Sequence, residues 1–175
     1  MVREEFCRVV GAEVHRLYSL ERNNRLPFDR SSGKKHERGD YTALAALLFT
    51  LFDEATGGAD GLGINASQAA AWLRMATPMI EDKLPRILKT ARAMKEGGEG
   101  IDEWLLLVAF LTGGRLIHCA PTSELFKVLA KADQPIVRFF GLNLSRAATV
   151  VLIRAEREKV ELDFTVRSNR KGSVA

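Results

Sequence analysis

Gly11–Pro27, GAEVHRLYSLERNNRLP, is the stretch from which the fold of the first third of the chain is read. Val14, Leu17 and Leu20 recur at helical spacing, which predicts a helix from Val14 to about Asn23 with those three side chains on its inner side. The other side then presents His15, Arg16, Tyr18, Ser19 and Arg22, side chains rich in hydrogen-bond donors. Asn23-Asn24 is a stop, because asparagine tolerates the left-handed backbone that ends helices. Upstream, Arg3–Val10 carries Phe6, Val9 and Val10 with Cys7 beside them, a short amphipathic helix that Gly11 breaks. Two helices crossing through three or four residues need a small residue where they come closest, and Gly11 is that residue. Phe6, Val10, Val14, Leu17 and Leu20 form the expected small core between them.

Downstream, Leu26-Pro27-Phe28 reads as extended. Residues 29–39, DRSSGKKHERG, form a polar, basic loop with a turn at Ser32-Gly33. A helix from Tyr41 to about Ala55 follows, with Asp40 as its expected cap and Leu44, Leu47, Leu48, Leu51 and Phe52 on one side. Helix, tight turn, second helix, basic loop and third helix are the parts of a winged helix-turn-helix. A helix such as Val14–Asn23 enters the major groove of a duplex, where arginine can bond guanine bidentately. Charge is concentrated here: between Val14 and Arg38 stand Arg16, Arg22, Arg25, Arg30, Lys34, Lys35 and Arg38 against Glu21, Asp29 and Glu37. Clustered cations favour polyanions through release of condensed counterions.

Gly11–Pro27 resembles the recognition half of MerR-type regulators, whose pattern is roughly G-V-S-x-R-T-L-R-Y-Y-E-R-x-G-L-L-P. The register runs without a gap, and Gly11, Leu17, Glu21, Arg22, Leu26 and Pro27 match in type. The resemblance covers residues 1–52. It implies that base and phosphate contacts fall on His15, Arg16, Tyr18, Ser19 and Arg22. It places the wing over residues 30–41, with Lys34, Lys35, His36 and Arg38 reaching backbone or minor groove. It also implies a homodimer on a two-fold symmetric site in double-stranded DNA. Three departures stand out: Glu13 replaces the small hydroxyl residue at the helix cap, Asn24-Arg25 replaces Gly-Leu, and Arg38–Tyr41 makes the wing exit one residue longer.

The remainder sorts by period. GGADGLG, residues 57–63, is a flexible connector. Asn65 or Ser67 caps a helix through Met75 that Pro78 interrupts, and a second helical segment covers residues 80–95, with Pro85 a cost to it. EGGEG, residues 96–100, is the expected boundary. Residues 104–111 then read as a strand, Gly113-Gly114 as a hairpin turn and residues 115–120 as the return strand. Thr122 or Ser123 caps a helix to Ala132, residues 135–144 form a third strand, and Ser145 caps a helix to about Lys159. Trp104, Phe110, Phe126, Phe139 and Phe140 are the aromatic residues expected to pack in this unit. The expected architecture is therefore α+β and mainly helical. It comprises an N-terminal winged helix-turn-helix (residues 1–56), a helical connector (57–100), a small β-hairpin–α–β–α unit for dimerisation or sensing (101–162), and a basic tail (163–175).

Composition narrows the function classes. The chain has 175 residues, 46% of them hydrophobic and 27% charged, with a net charge of +4 and a pI near 9.3. These values exclude a largely disordered chain, a collagen-like fibre and a coiled-coil rod. No apolar run approaches the roughly 20 residues that cross a bilayer. Met-Val-Arg-Glu-Glu is not a signal peptide, and two cysteines make no disulfide framework, so the expected setting is cytoplasmic, soluble and reducing, with no membrane partner. No pair among His15, His36 and His118 has metal-ligand spacing. His118 and Cys119 are neighbours on a strand and point to opposite faces. The glycine-rich 57–63 segment follows a helix and lacks the Lys-Ser/Thr of a phosphate loop. The sequence thus predicts no catalytic residue, metal or cofactor, and a non-enzymatic, sequence-specific transcriptional regulator. An excisionase-like DNA-bending factor and an interaction protein with a solvated basic loop are the alternatives; no feature names an effector.

Overall fold

Successive residues of a helix point 100° apart, so a helix that buries Leu47, Leu48 and Phe49 together is enclosed on most sides. That helix, α3 (Ala43–Thr56), is the post around which the chain is wound. The computed structural model describes residues 1–29, 41–57 and 61–164. Before α3 come α1 (Arg3–Val10) and α2 (Val14–Arg22); after it come α4 (Ala66–Lys95), β1 (Trp104–Leu111), β2 (Gly114–Pro121), a short 3₁₀ turn, α5 (Leu125–Ala130), β3 (Ile136–Asn143) and α6 (Leu144–Arg157). The protein is α+β and mainly helical, with one three-stranded antiparallel sheet in the order β2-β1-β3.

One cluster of buried side chains runs from Phe6 on α1, through α3, α4 and the inner face of the sheet, to Ala155 on α6. In the sheet, Leu106 of β1 stands opposite Cys119 of β2 and Leu142 of β3, and all three are buried in that cluster. Trp72 of α4 meets Phe110 and Phe140 at ring-centroid distances of 5.5 and 5.6 Å. α6 packs on α1, α3, α4 and β1, which accounts for its nearly all-round apolar run.

Four expectations are corrected. First, α4 is one helix of 30 residues that runs through both Pro78 and Pro85. Ala69, Leu73, Ala76, Ile80, Leu84, Ile87 and Ala91, each three or four residues from the last, are all buried along one stripe, while both prolines are exposed on other faces. Burying such a stripe outweighs the ~3 kcal/mol that an interior proline costs. Second, the caps differ. Thr42, whose hydroxyl accepts from Ala45 N at 3.0 Å, starts α3, and Asp40 lies outside the described residues. Asn143 caps α6, accepting from Arg146 N at 2.9 Å, while Ser145 is fully buried and takes the Trp104 N–H at 2.9 Å. Third, residues 122–132 give only the 3₁₀ turn and the six-residue α5. Fourth, Phe126 and Phe139 do not pack inside; they are 78% and 48% exposed. Among the described residues no helix is long and apolar enough to cross a membrane.

Candidate nucleic-acid interface

α2 meets the rest of the molecule along a narrow seam. Leu17 is its one fully buried residue and Leu20 is half-buried. On the opposite side His15, Ser19 and Arg22 fall within about 60° of each other around the axis, and all three are exposed. The His15 ring carries the Glu13 carboxylate 3.1 Å from Nε2, both side chains being more than 70% exposed. Arg22 has no ion pair among the described residues. The helix is entered through Gly11, at φ 71°, and left through Asn24, at φ 52°, as the glycine break and the asparagine stop predict. Glu13 occupies the N-cap without a side-chain hydrogen bond, so the departure at that position leaves the first turn uncapped.

The flanks of this line are tied down by charged groups. On one side Arg3 of α1 donates to the Tyr18 hydroxyl, lies 4.1 Å from that ring's centre, and pairs with Glu21 at 3.1 Å. Tyr41 donates to the same Glu21 carboxylate at 2.5 Å. Burial pushes the Tyr41 hydroxyl above its ordinary range, and the bond to Glu21 adds to this. On the other flank Arg16 reaches α3, with Nη2 2.6 Å from Asp53 Oδ1 and the guanidinium 5.8 Å from the Phe49 ring centre. Burial raises the Asp53 carboxyl above the usual carboxylate range, against the pull of Arg16 and Arg154.

Two distant arginines fix the ends of α2. Arg154 of α6 donates to Val10 O at 2.6 Å, and its Nη1 would stand 2.9 Å from a β-carbon placed on Gly11. The turn therefore needs glycine twice over, for its left-handed backbone and for the room that Arg154 occupies. Arg74 of α4 donates to Asn24 O and Leu26 O, both at 2.9 Å, holding the exit. Two residues on either side of the basic segment are also pinned: Phe28 and Tyr41 both pack on Phe6, with ring centres 5.9 and 4.3 Å away. Tyr41 exchanges backbone hydrogen bonds with Met1 at 2.8 and 2.9 Å.

The structure thus brings His15, Arg16, Tyr18, Ser19 and Arg22 onto one exposed helix, with Arg16 and Tyr18 engaged at its margins. Lys34, Lys35, His36 and Arg38 lie outside the described residues. Sequence reasoning missed Arg3, Asp53, Arg74 and Arg154, the side chains that position α2. Nothing local marks them, since each acts across at least 15 residues of chain. Elsewhere, His118 is exposed and Cys119 is buried, its thiol pushed by burial to about 12. Among the described residues no three His, Cys, Asp or Glu side chains gather as a metal site would require. The sequence matches no known protein family, and no curated protein is similar to it.

Proposed function

We propose that this protein binds double-stranded DNA as a transcriptional regulator of winged helix-turn-helix type, with α2 laid in the major groove. The observation that carries the reading is the exposed outer line of α2: His15, Ser19 and Arg22 face solvent while Leu17 alone is sunk into the core. A helix of about 10–12 Å overall diameter fits a groove roughly 12 Å wide. The basic loop, with Lys34, Lys35 and Arg38, supplies phosphate contacts, and both flanking residues are anchored on α1 beside α2. Phosphate contacts position the protein and base-edge contacts choose the sequence.

Selection from a random duplex library, followed by fluorescence anisotropy on the selected site, tests this. Arg22→Ala is expected to cost about 1–3 kcal/mol at one base position, while Lys35→Ala weakens all duplexes alike and lowers the salt slope by about one. Equal losses on selected and random DNA remove sequence specificity from the reading. Absence of binding to any duplex at low salt overturns it and favours an interaction protein.

The same reading includes a homodimer. Its support is the C-terminal unit, where Phe126, Val137 and Phe139 are 78, 69 and 48% exposed and β3 is an edge strand. A monomer by light scattering at micromolar concentration rejects it.

A further inference from the structure

We propose that Asp53 is a built-in competitor for the DNA backbone: it holds Arg16 in the free protein, and a duplex phosphate takes that guanidinium over on binding. This rests on the reading of α2 as the groove-facing helix. Arg16 lies about 90° around α2 from the His15–Ser19–Arg22 line, at the edge where a groove wall passes rather than its floor. Its side chain is 43% exposed, so solvent reaches it with the helix where it stands. The contact to Asp53 is a single one, Nη2 to Oδ1 at 2.6 Å. Guanidinium carries five N–H donors in a planar fork, and one is used here. A phosphate has the matching bidentate geometry and a full charge.

Asp53 can give Arg16 up without being left alone. The positive charge of Arg154 on α6 also acts on it, and Arg154 is fixed in place by its own bond to Val10 O. The two arginines facing Asp53 therefore divide their work. Arg16, with its side chain 43% exposed, is exchangeable; Arg154, against Gly11 and bonded to Val10 O, stays.

The test is anisotropy with a fluorescein-labelled random-sequence 20-mer duplex over a salt series, using the full chain and three variants: Asp53→Asn, Arg16→Gln and the double variant. Asp53→Asn is expected to bind about fivefold more tightly than wild type near physiological salt, the scale of one partly exposed ion pair, with the salt slope unchanged because Arg16 meets a phosphate in both proteins. In the Arg16→Gln background that gain disappears. An unchanged or weaker affinity for Asp53→Asn overturns the proposal while wild-type binding leaves the function standing. A gain that persists without Arg16 overturns it too, since general charge removal then suffices. If neither wild type nor Asp53→Asn binds, both fall. Circular dichroism checks folding, and Asp53→Ser replaces Asp53→Asn if the latter does not fold. A second measurement needs no variant: the side-chain Nε–H NMR signal of Arg16 shifts as duplex is added to wild type and that of Arg154 does not. An unmoved Arg16 signal at saturation overturns the exchange.

Discussion

Helix α2 and strand β1 belong to the same core but are held in it by different forces. α2 sinks one side chain, Leu17, and is otherwise steered by Arg3, Glu21, Tyr41, Asp53, Arg74 and Arg154. β1 sits between two partner strands and has no exposed residue; five of its eight, Trp104, Leu106, Leu107, Val108 and Ala109, are buried. Apolar burial has no preferred direction and is insensitive to salt, whereas charge-assisted bonds are directional and screened where water reaches them. The orientation of α2 therefore responds to ions and to charged ligands, and that of β1 does not.

The largest effect expected from this contrast is at Leu106, which is fully buried in the middle strand. Leu106→Ala should cost about 2–5 kcal/mol in urea unfolding followed by circular dichroism. A cost below about 1 kcal/mol would mean that the sheet is not held by packing. Next is Glu21→Gln, which removes the charged partner of Arg3 and Tyr41; its expected cost is about 1.5–3 kcal/mol, and part of it is lost in 1 M salt, where the Debye length is about 3 Å. Salt independence of that loss breaks the comparison from the other side. Ser145→Ala follows, at about 1–3 kcal/mol, because the Trp104 N–H is left buried without its acceptor.

Smaller effects sharpen the picture. The Cys119 thiol is raised from 9.0 to about 12 by burial. The folded state thus keeps a proton that the unfolded chain releases. Its contribution to stability is full below pH 9 and declines as pH rises toward 12. Thiol labelling at pH 9 should accordingly follow global unfolding of the chain; rapid labelling of the folded protein would contradict this. Phe126→Ser, at a position 78% exposed, should change stability by no more than about 0.5 kcal/mol at concentrations where the chain is monomeric.

Local signals were legible where the backbone itself decides. Gly11 and Asn24 mark the ends of α2 because both adopt left-handed conformations, and the Gly113-Gly114 pair marks the hairpin. The strands read at residues 104–111 and 115–120 were equally plain, the second extending one residue further at each end in the fold. What failed depends on distant chain. Pro78 and Pro85 look like breaks in sequence, but a continuous buried stripe on the other faces of α4 overrides them. Ser145 has the composition of a cap; its hydroxyl serves Trp104, 41 residues away. The outward placing of His15, Ser19 and Arg22 followed from periodicity, whereas Val14, which the same spacing puts on the inner side, is 38% exposed at the start of the helix. Its supports, Asp53 and Arg154, carry no periodic mark, and only the packing of α3 and α6 against the turn reveals them.

The bond from Arg154 to Val10 spans 144 residues. On a ribosome adding roughly 5–20 residues per second, that interval lasts about 7–30 s. For most of it, α1 and α2 have been made while α6, whose Arg154 lies against the turn between them, has not. Among the described elements, α1 precedes all the others and the turn that follows it is completed only by α6. Until translation reaches α6, the Gly11 turn of a nascent chain is held without the Arg154 bond that fixes it in the finished fold.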